Sequence, residues 1–353
     1  MRLELVPREA QSRLRDVLTP VLSLVVALVI GGVIVWIMGR SPWRALQVYI
    51  VEPLLDPWAL QEILVKAAPL ILVATGLAFC FRADRWNIGA EGQFVMGGLA
   101  GGWLAVVTHG GPQGFWLLPS MLLLGALAGA AYGAIPALLR NRFGVSEILT
   151  SLMLVYVAEL TLDYMVRGPL RDPKGFNFPT SAAFSDAASL PLIAAGGRLH
   201  AGILFALASS LIAAFVFRKT LFGFSITVAG AAPRAAGFAG FSEKRMTLAV
   251  FLISGGLAGL AGIIEVSGQI KQLQPSISPG YGFTGIIVAF LGRLSPVGIV
   301  LAGLILALIA IGSETAQVLL KLPLDLARVF QGILLFCILA GDVFSRYRLK
   351  LLR

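Results

Sequence analysis

Residues 82–93 read Arg-Ala-Asp-Arg-Trp-Asn-Ile-Gly-Ala-Glu-Gly-Gln, a polar interruption between an apolar run that ends near 81 and another that begins near 93. Four of its side chains are charged: Arg82, Asp84, Arg85 and Glu91. Each would cost roughly 2.5–3.5 kcal/mol at the centre of a membrane helix. Charge and broken backbone at that depth survive only where protein buries them or water reaches them. The stretch therefore marks either the end of a span or a break in a helix beside a polar path.

The rest of the chain supports the membrane setting. Of 353 residues, 58% are apolar and only 13% are charged, with a mean hydropathy of +0.87. Soluble domains carry about 25% charged residues, so this chain cannot cover a water-facing surface. Ten apolar runs stand out, at about 17–38, 67–81, 93–109, 114–138, 147–166, 200–217, 246–267, 283–292, 296–313 and 329–345. The second and eighth are short against the ~20 residues of a straight crossing. The expectation is an all-α polytopic membrane protein of about ten transmembrane helices, some short or broken. It divides into a 1–16 tail, a 17–345 membrane domain and a 346–353 tail. The first run is longer than a signal-peptide core and lacks its cleavage pattern, so it reads as an uncleaved span.

Basic residues set the orientation. Lys and Arg divide 18 to 10 in favour of the segments on the N-terminal side, which places both termini in the cytoplasm. The net charge of +10 then reads as cytoplasmic loops and anionic lipid contacts, not nucleic acid. Cys80 and Cys337 lie in apolar runs without CxxC spacing, and His109 and His200 have no ligand-like neighbours, so no metal site is expected. There is no P-loop, HExxH or GxSxG motif, which argues against enzyme chemistry in this polypeptide.

Small residues recur at helical spacing. Gly97, Gly98, Gly101 and Gly102, then Gly125, Gly129 and Gly133, then Gly255 and Gly259 form faces on which helix backbones can approach closely. A faint internal echo also exists. Ala78-Phe79 precedes an arginine and Asn87-Ile88-Gly89, as Ala289-Phe290 precedes Arg293 and Pro296-Val297-Gly298. Paired broken segments in two halves of a transporter point to a solute path.

The longest inner connection, 218–245, is basic at both ends. Pro233 suits the first turn of a short helix, Ala235 and Ala236 propagate it, and Gly237 or Gly240 ends it. Such a helix shows a small-residue face flanked by Arg234 and Phe238 and fits a groove on a partner. The bland alternative is a solvated loop.

Four stretches together resemble one family. Phe81 to Phe94 carries its Asn-Ile-Gly-x-Glu-Gly-Gln core. Val145 to Ala158 (VSEILTSLMLVYVA), Ala229 to Ser242 continuing into Gly255 to Gly268 (GGLAGLAGIIEVSG), and Gly280 to Pro296 (GYGFTGIIVAFLGRLSP) follow in family order. The chain resembles the permease subunits of ATP-binding-cassette importers of the branched-chain amino acid and simple-sugar type, nearest in pattern to the nucleoside permeases. It departs at Val155, where the family has asparagine, and at Asp84, where glycine is common.

The resemblance implies a transport subunit with no cofactor of its own, working in the cytoplasmic (inner) membrane on ATP used by a partner ATPase. It implies a second permease, read as a paralogue, an extracytoplasmic solute-binding protein, and a solute that is a nucleoside or related small polar molecule. A sugar or an amino acid is the alternative within the family. Gly230, Pro233, Arg234, Ala235, Ala236, Gly237 and Gly240 would form the coupling helix on the ATPase. Asn87, Glu91, Gln93, Trp86, Phe283 and Phe290 would line or support the path, the polar ones by hydrogen bonds and the aromatic ones by stacking. Alternatively, Glu91 pairs with Arg82 or Arg85, and the aromatic residues serve packing. A rival of another class, an ion-coupled secondary transporter, needs acidic relays within the bundle. Its candidates are Glu159, Asp163 and Glu265, all near predicted span ends.

Overall fold

The computed structural model of the chain describes residues 2–7, 13–111, 114–193 and 196–352. Each of the ten expected runs falls on a helix: α1 (Arg13–Ile37), α4 (Pro57–Arg82), α5 (Ala90–Val107), α6 (Leu117–Phe143), α7 (Glu147–Arg167), α8 (Gly202–Lys219), α11 (Glu243–Glu265), α12 (Tyr281–Leu291), α13 (Pro296–Leu320) and α14 (Asp325–Arg346). Among the described residues, six are long and apolar enough to cross a membrane: α4, α6, α7, α8, α11 with the π-turn that extends it to Ile270, and α13. Short helices fill the connections, α2 (Pro42–Leu46) and α3 (Glu52–Leu55) after α1, and α9 (Leu221–Ala231) and α10 (Pro233–Phe238) after α8.

Among the described residues, a two-stranded sheet departs from the all-α expectation. β1 (Arg2–Pro7) pairs antiparallel with β2 (Tyr347–Leu352), Arg2 opposite Leu352 and Pro7 opposite Tyr347. Leu3 and Leu5, like Leu349 and Leu351, alternate with charged residues, the period of a strand. The tails expected at 1–16 and 346–353 thus meet at one end of the bundle. Residues 1, 8–12 and 353 of those tails lie outside the described ones.

The second span is not short. α4 has 26 residues, starting at Pro57 behind an Asp56 cap that accepts from Trp58 N at 3.1 Å. Its first turns carry Gln61, Glu62 and Lys66, which broke the apolar pattern. These are matched by Arg198, whose Nη1 reaches Glu62 at 2.6 Å and whose N reaches Gln61 at 3.0 Å, and by Glu314, which pairs with Lys66. From Ala67 to Cys80 every residue is buried. A helix apolar on all sides is a core helix, and α4 is the axis around which α8, α11, α12 and α13 pack.

A second seam joins α5, α6 and α11 along the glycines. A Cβ on Gly97 would lie 2.2 Å from Gly259 Cα, and one on Gly129 would lie 2.3 Å from Gly255 O. The backbones touch there, as the small-residue spacing predicts.

The connection between α7 and α8 folds over the other end of the bundle. His200 anchors it: Nδ1 accepts from Gly202 N at 3.1 Å, and the buried Nε2 has no partner among the described residues. Burial pushes the imidazole from its ordinary value down to about 4. The folded state therefore favours neutral His200. Its stability contribution is complete above pH 6.5 and is lost as pH falls from there toward 4. We expect protease protection of the 168–201 connection to weaken over that window, and a His200→Gln protein to lose the pH dependence.

Candidate solute path and coupling site

The 82–93 stretch resolves into a helix end, a rising coil and a new helix. At the end of α4, Asp84 adopts a left-handed φ of 54°. This explains why glycine is common at that position of the resembling block, and aspartate is among the side chains that tolerate it. Asp84 N bonds to Phe81 O and Arg85 N to Cys80 O, at 3.2 and 3.0 Å. The end of α12 repeats this wrap: Arg293 N bonds to Phe290 O at 2.9 Å and Leu294 N to Ala289 O at 2.8 Å, with Arg293 at φ 51°. The two turns pack together, Phe81 stacking on Phe290 with centroids 5.1 Å apart. The internal echo is therefore real in the backbone. Its register is Phe81 with Phe290, not Phe79 with Phe290, because the cap hydrogen bonds rather than the flanking alanines define equivalence.

Arg82 welds these turns: Nε donates to Leu294 O at 3.0 Å, and Cζ lies 4.1 Å from the Phe217 ring centroid. Arg85 instead reaches Glu243 at 2.6 Å and Thr247 Oγ1 at 3.1 Å. Neither pairs with Glu91, which corrects that expectation. Glu91 Oε2 accepts from Gly282 N at 2.5 Å, at the start of α12. There the backbones touch, a Cβ on Gly282 coming within 2.2 Å of Glu91 N. One carboxylate in the first turn of α5 thus also serves the exposed N–H groups and positive dipole of a second helix start. This pairing spans 191 residues in sequence, and no local pattern announces it.

Asn87 and Gln93 are equally occupied. Asn87 Nδ2 donates to Gln93 Oε1 at 2.9 Å and to Ser254 Oγ at 3.0 Å, while Gln93 Nε2 returns a bond to Asn87 Oδ1 at 3.0 Å. Asn87 Oδ1 also accepts from Gly89 N at 3.1 Å. All three polar residues are buried. This is a sealed amide lock holding a helix break against α11, as buried polar groups require. Val155, the departure from the family asparagine, is buried against Gly92 on the same helix start.

Trp86 and Phe290 face each other, centroids 5.9 Å apart, so each is the other's stacking partner. Phe283 stands apart and is 41% exposed. Beside Trp86 opens a polar cavity of about 620 Å³ bordered by Arg85, Arg140, Glu147 and Glu243. Arg140 pairs with Glu147 there, a cluster that the sequence reading did not assemble.

The short helix has the predicted limits. Pro233 opens α10, and Gly240 follows its end at φ 82°, with Phe241 N closing on Ala236 O at 3.0 Å. Pro233, Arg234, Ala235, Gly237 and Gly240 are exposed, and Phe238 is 95% exposed. Ala236 is buried and anchors the helix. Gly230 faces inward: a Cβ there would fall 2.0 Å from Arg82 O. α9 therefore rests directly on the Arg82 turn.

One of the three acids invoked for an ion relay, Glu159, lies elsewhere than expected, whereas Glu265 closes α11 near the expected span end. Glu159 is well inside α7, and Glu265 is buried where α11 runs into its π-turn. Asp163 pairs with Arg167 at 2.7 Å.

The family model for the permease component of branched-chain amino acid transport systems matches residues 59–339. The chain belongs to this family. It is a multi-pass membrane permease. It is 39% identical to a glucose ABC transporter permease protein of Haloferax volcanii, over 99% of this chain and 93% of the relative. It is 30% identical to a guanosine ABC transporter permease protein of Bacillus subtilis, over 92% and 93%. A nucleoside ABC transporter permease protein of Lactococcus lactis is 28% identical, over 86% and 85%. No solved structure matches the permease.

Proposed function

We propose that this permease forms one half of the channel of an ABC importer for neutral, hydroxyl-rich solutes, with nucleosides as the leading class. Hexoses are the second reading, favoured by the 39% identity to a relative named for glucose. A separate cytoplasmic ATPase supplies the energy, a second permease completes the path, and a solute-binding protein delivers cargo from outside. On this reading all ten expected helices cross or enter the membrane, and both termini lie in the cytoplasm at the same end as α10.

The observation that carries this reading is α10. It is an exposed helix of six residues that ends on a bare phenylalanine and is seated through Gly230 on the Arg82 turn. An apolar knob on a basic face suits a groove on a partner protein. Uptake of labelled guanosine and glucose into vesicles holding the complete transporter tests it. We expect uptake to stop when ATP is depleted and to survive collapse of ion gradients. The opposite pattern would overturn the reading.

A further inference from the structure

The residues that the resemblance assigned to the path leave a question, because Asn87, Glu91 and Gln93 are buried and bonded to protein. The outward face of α7 answers it. α7 is the least buried of the six long apolar helices, and one flank of it is polar. Tyr156, Glu159, Asp163 and Arg167 follow at spacings of three, four and four residues, one side of an α-helix. Tyr156 and Glu159 are exposed.

Depth makes this flank unusual. Glu159 lies twelve residues from Glu147 and eight from Arg167, the ends of α7. At ~1.5 Å per residue this is about 18 Å from one end and about 12 Å from the other, near the middle of a bilayer. Asp163 is neutralised by Arg167, but Glu159 has no ion-pair or hydrogen-bond partner among the described residues. The next span along the chain gives the contrast. The exposed positions of α8 include Leu204, Leu207, Leu211, Ile212 and Phe215, an apolar face suited to lipid. A carboxylate facing lipid at mid-depth is costly, and such groups mark solute or ion routes. On its packed side α7 meets the start of α5, where Val155 lies against Gly92, next to Glu91, whose carboxylate holds the start of α12. From that helix start Phe283 projects, exposed, one residue beyond Gly282.

We propose that the Tyr156–Glu159 flank of α7 lines the water-filled solute path, and that Glu159 accepts hydrogen bonds from hydroxyl groups of the passing solute. The solute class rests on the function proposed above. The location of the path does not.

Cysteine labelling tests both parts. In a Cys337→Ala background, Tyr156→Cys, Glu159→Cys and Leu211→Cys proteins are assembled into the complete transporter in vesicles. They are then treated with a membrane-impermeant thiol reagent. We expect positions 156 and 159 to react at least tenfold faster than 211, and guanosine or glucose to slow labelling at 156, where Glu159 is retained, several-fold. Equal resistance at 159 and 211, with or without ATP, would place the flank against lipid or a partner and overturn the path. Fast labelling at 156 that neither solute slows, with Glu159 in place, would overturn the recognition role. Parallel uptake measurements keep the two ideas apart. Ion-driven uptake with fast labelling removes the ABC reading alone, and ATP-driven uptake with no labelling removes this inference alone.

Discussion

An Asn87→Leu protein should lose roughly 3–5 kcal/mol of stability, one of the largest effects expected from a single side chain here. The substitution keeps the number and branching of the heavy atoms and removes the partner of four groups: both ends of the Gln93 amide, Gly89 N and Ser254 Oγ. Leaving a buried polar group unsatisfied costs about 1–3 kcal/mol, whereas replacing both partners with apolar groups of similar shape can be nearly neutral. The Asn87→Leu/Gln93→Leu protein should therefore recover about half of the loss, because Gly89 N and Ser254 Oγ still lack their partner. Thermal denaturation of the purified variants, followed by size-exclusion chromatography, reads the difference. A single variant as stable as the parent would mean the lock is not structural. A stable double variant that cannot transport would return these amides to the solute path.

A Phe238→Ala protein should insert and fold normally, yet bind its ATPase about 30-fold more weakly, equivalent to ~2 kcal/mol for a buried aromatic anchor. The ring is 95% exposed, so its removal leaves the fold untouched and any effect appears in docking. Ala236→Trp is the wrong probe of the same contact, because Ala236 is buried and the larger ring would unseat α10 from within. Co-purification with the ATPase and solute-dependent ATP hydrolysis measure the outcome. Undiminished ATPase binding by Phe238→Ala would remove α10 as the docking point.

The positions of the helices were legible because each apolar run is a local property of the chain. The limits of α10 were legible for the same reason, since Pro233 and Gly240 act on their own backbone. α4 was misread as short because Glu62 and Lys66 look like loop residues until Arg198 and Glu314 stand beside them. Glu91 drew a local partner in the sequence reading, Arg82 or Arg85, when its true partner was the start of a helix 191 residues away. Glu159 was placed near a span end although the 147–166 run already sets it seven residues or more from either limit; only its exposure needed the packed fold. The sequence patterns identified the residue types that needed partners. They could not identify partners supplied by the tertiary fold.

The bond from Arg82 to Leu294 carries a mechanical implication. α12 has eleven residues, a strut of about 16 Å. Its lower end is tied through Arg82 to the turn that carries α9. Its upper end is pinned to α5 by Glu91. A thrust applied to α10 is thus delivered along this strut to the start of α5, with a hydrogen bond closing each joint. On the docking role proposed for α10, α12 is a short drive rod between that helix and the proposed solute path.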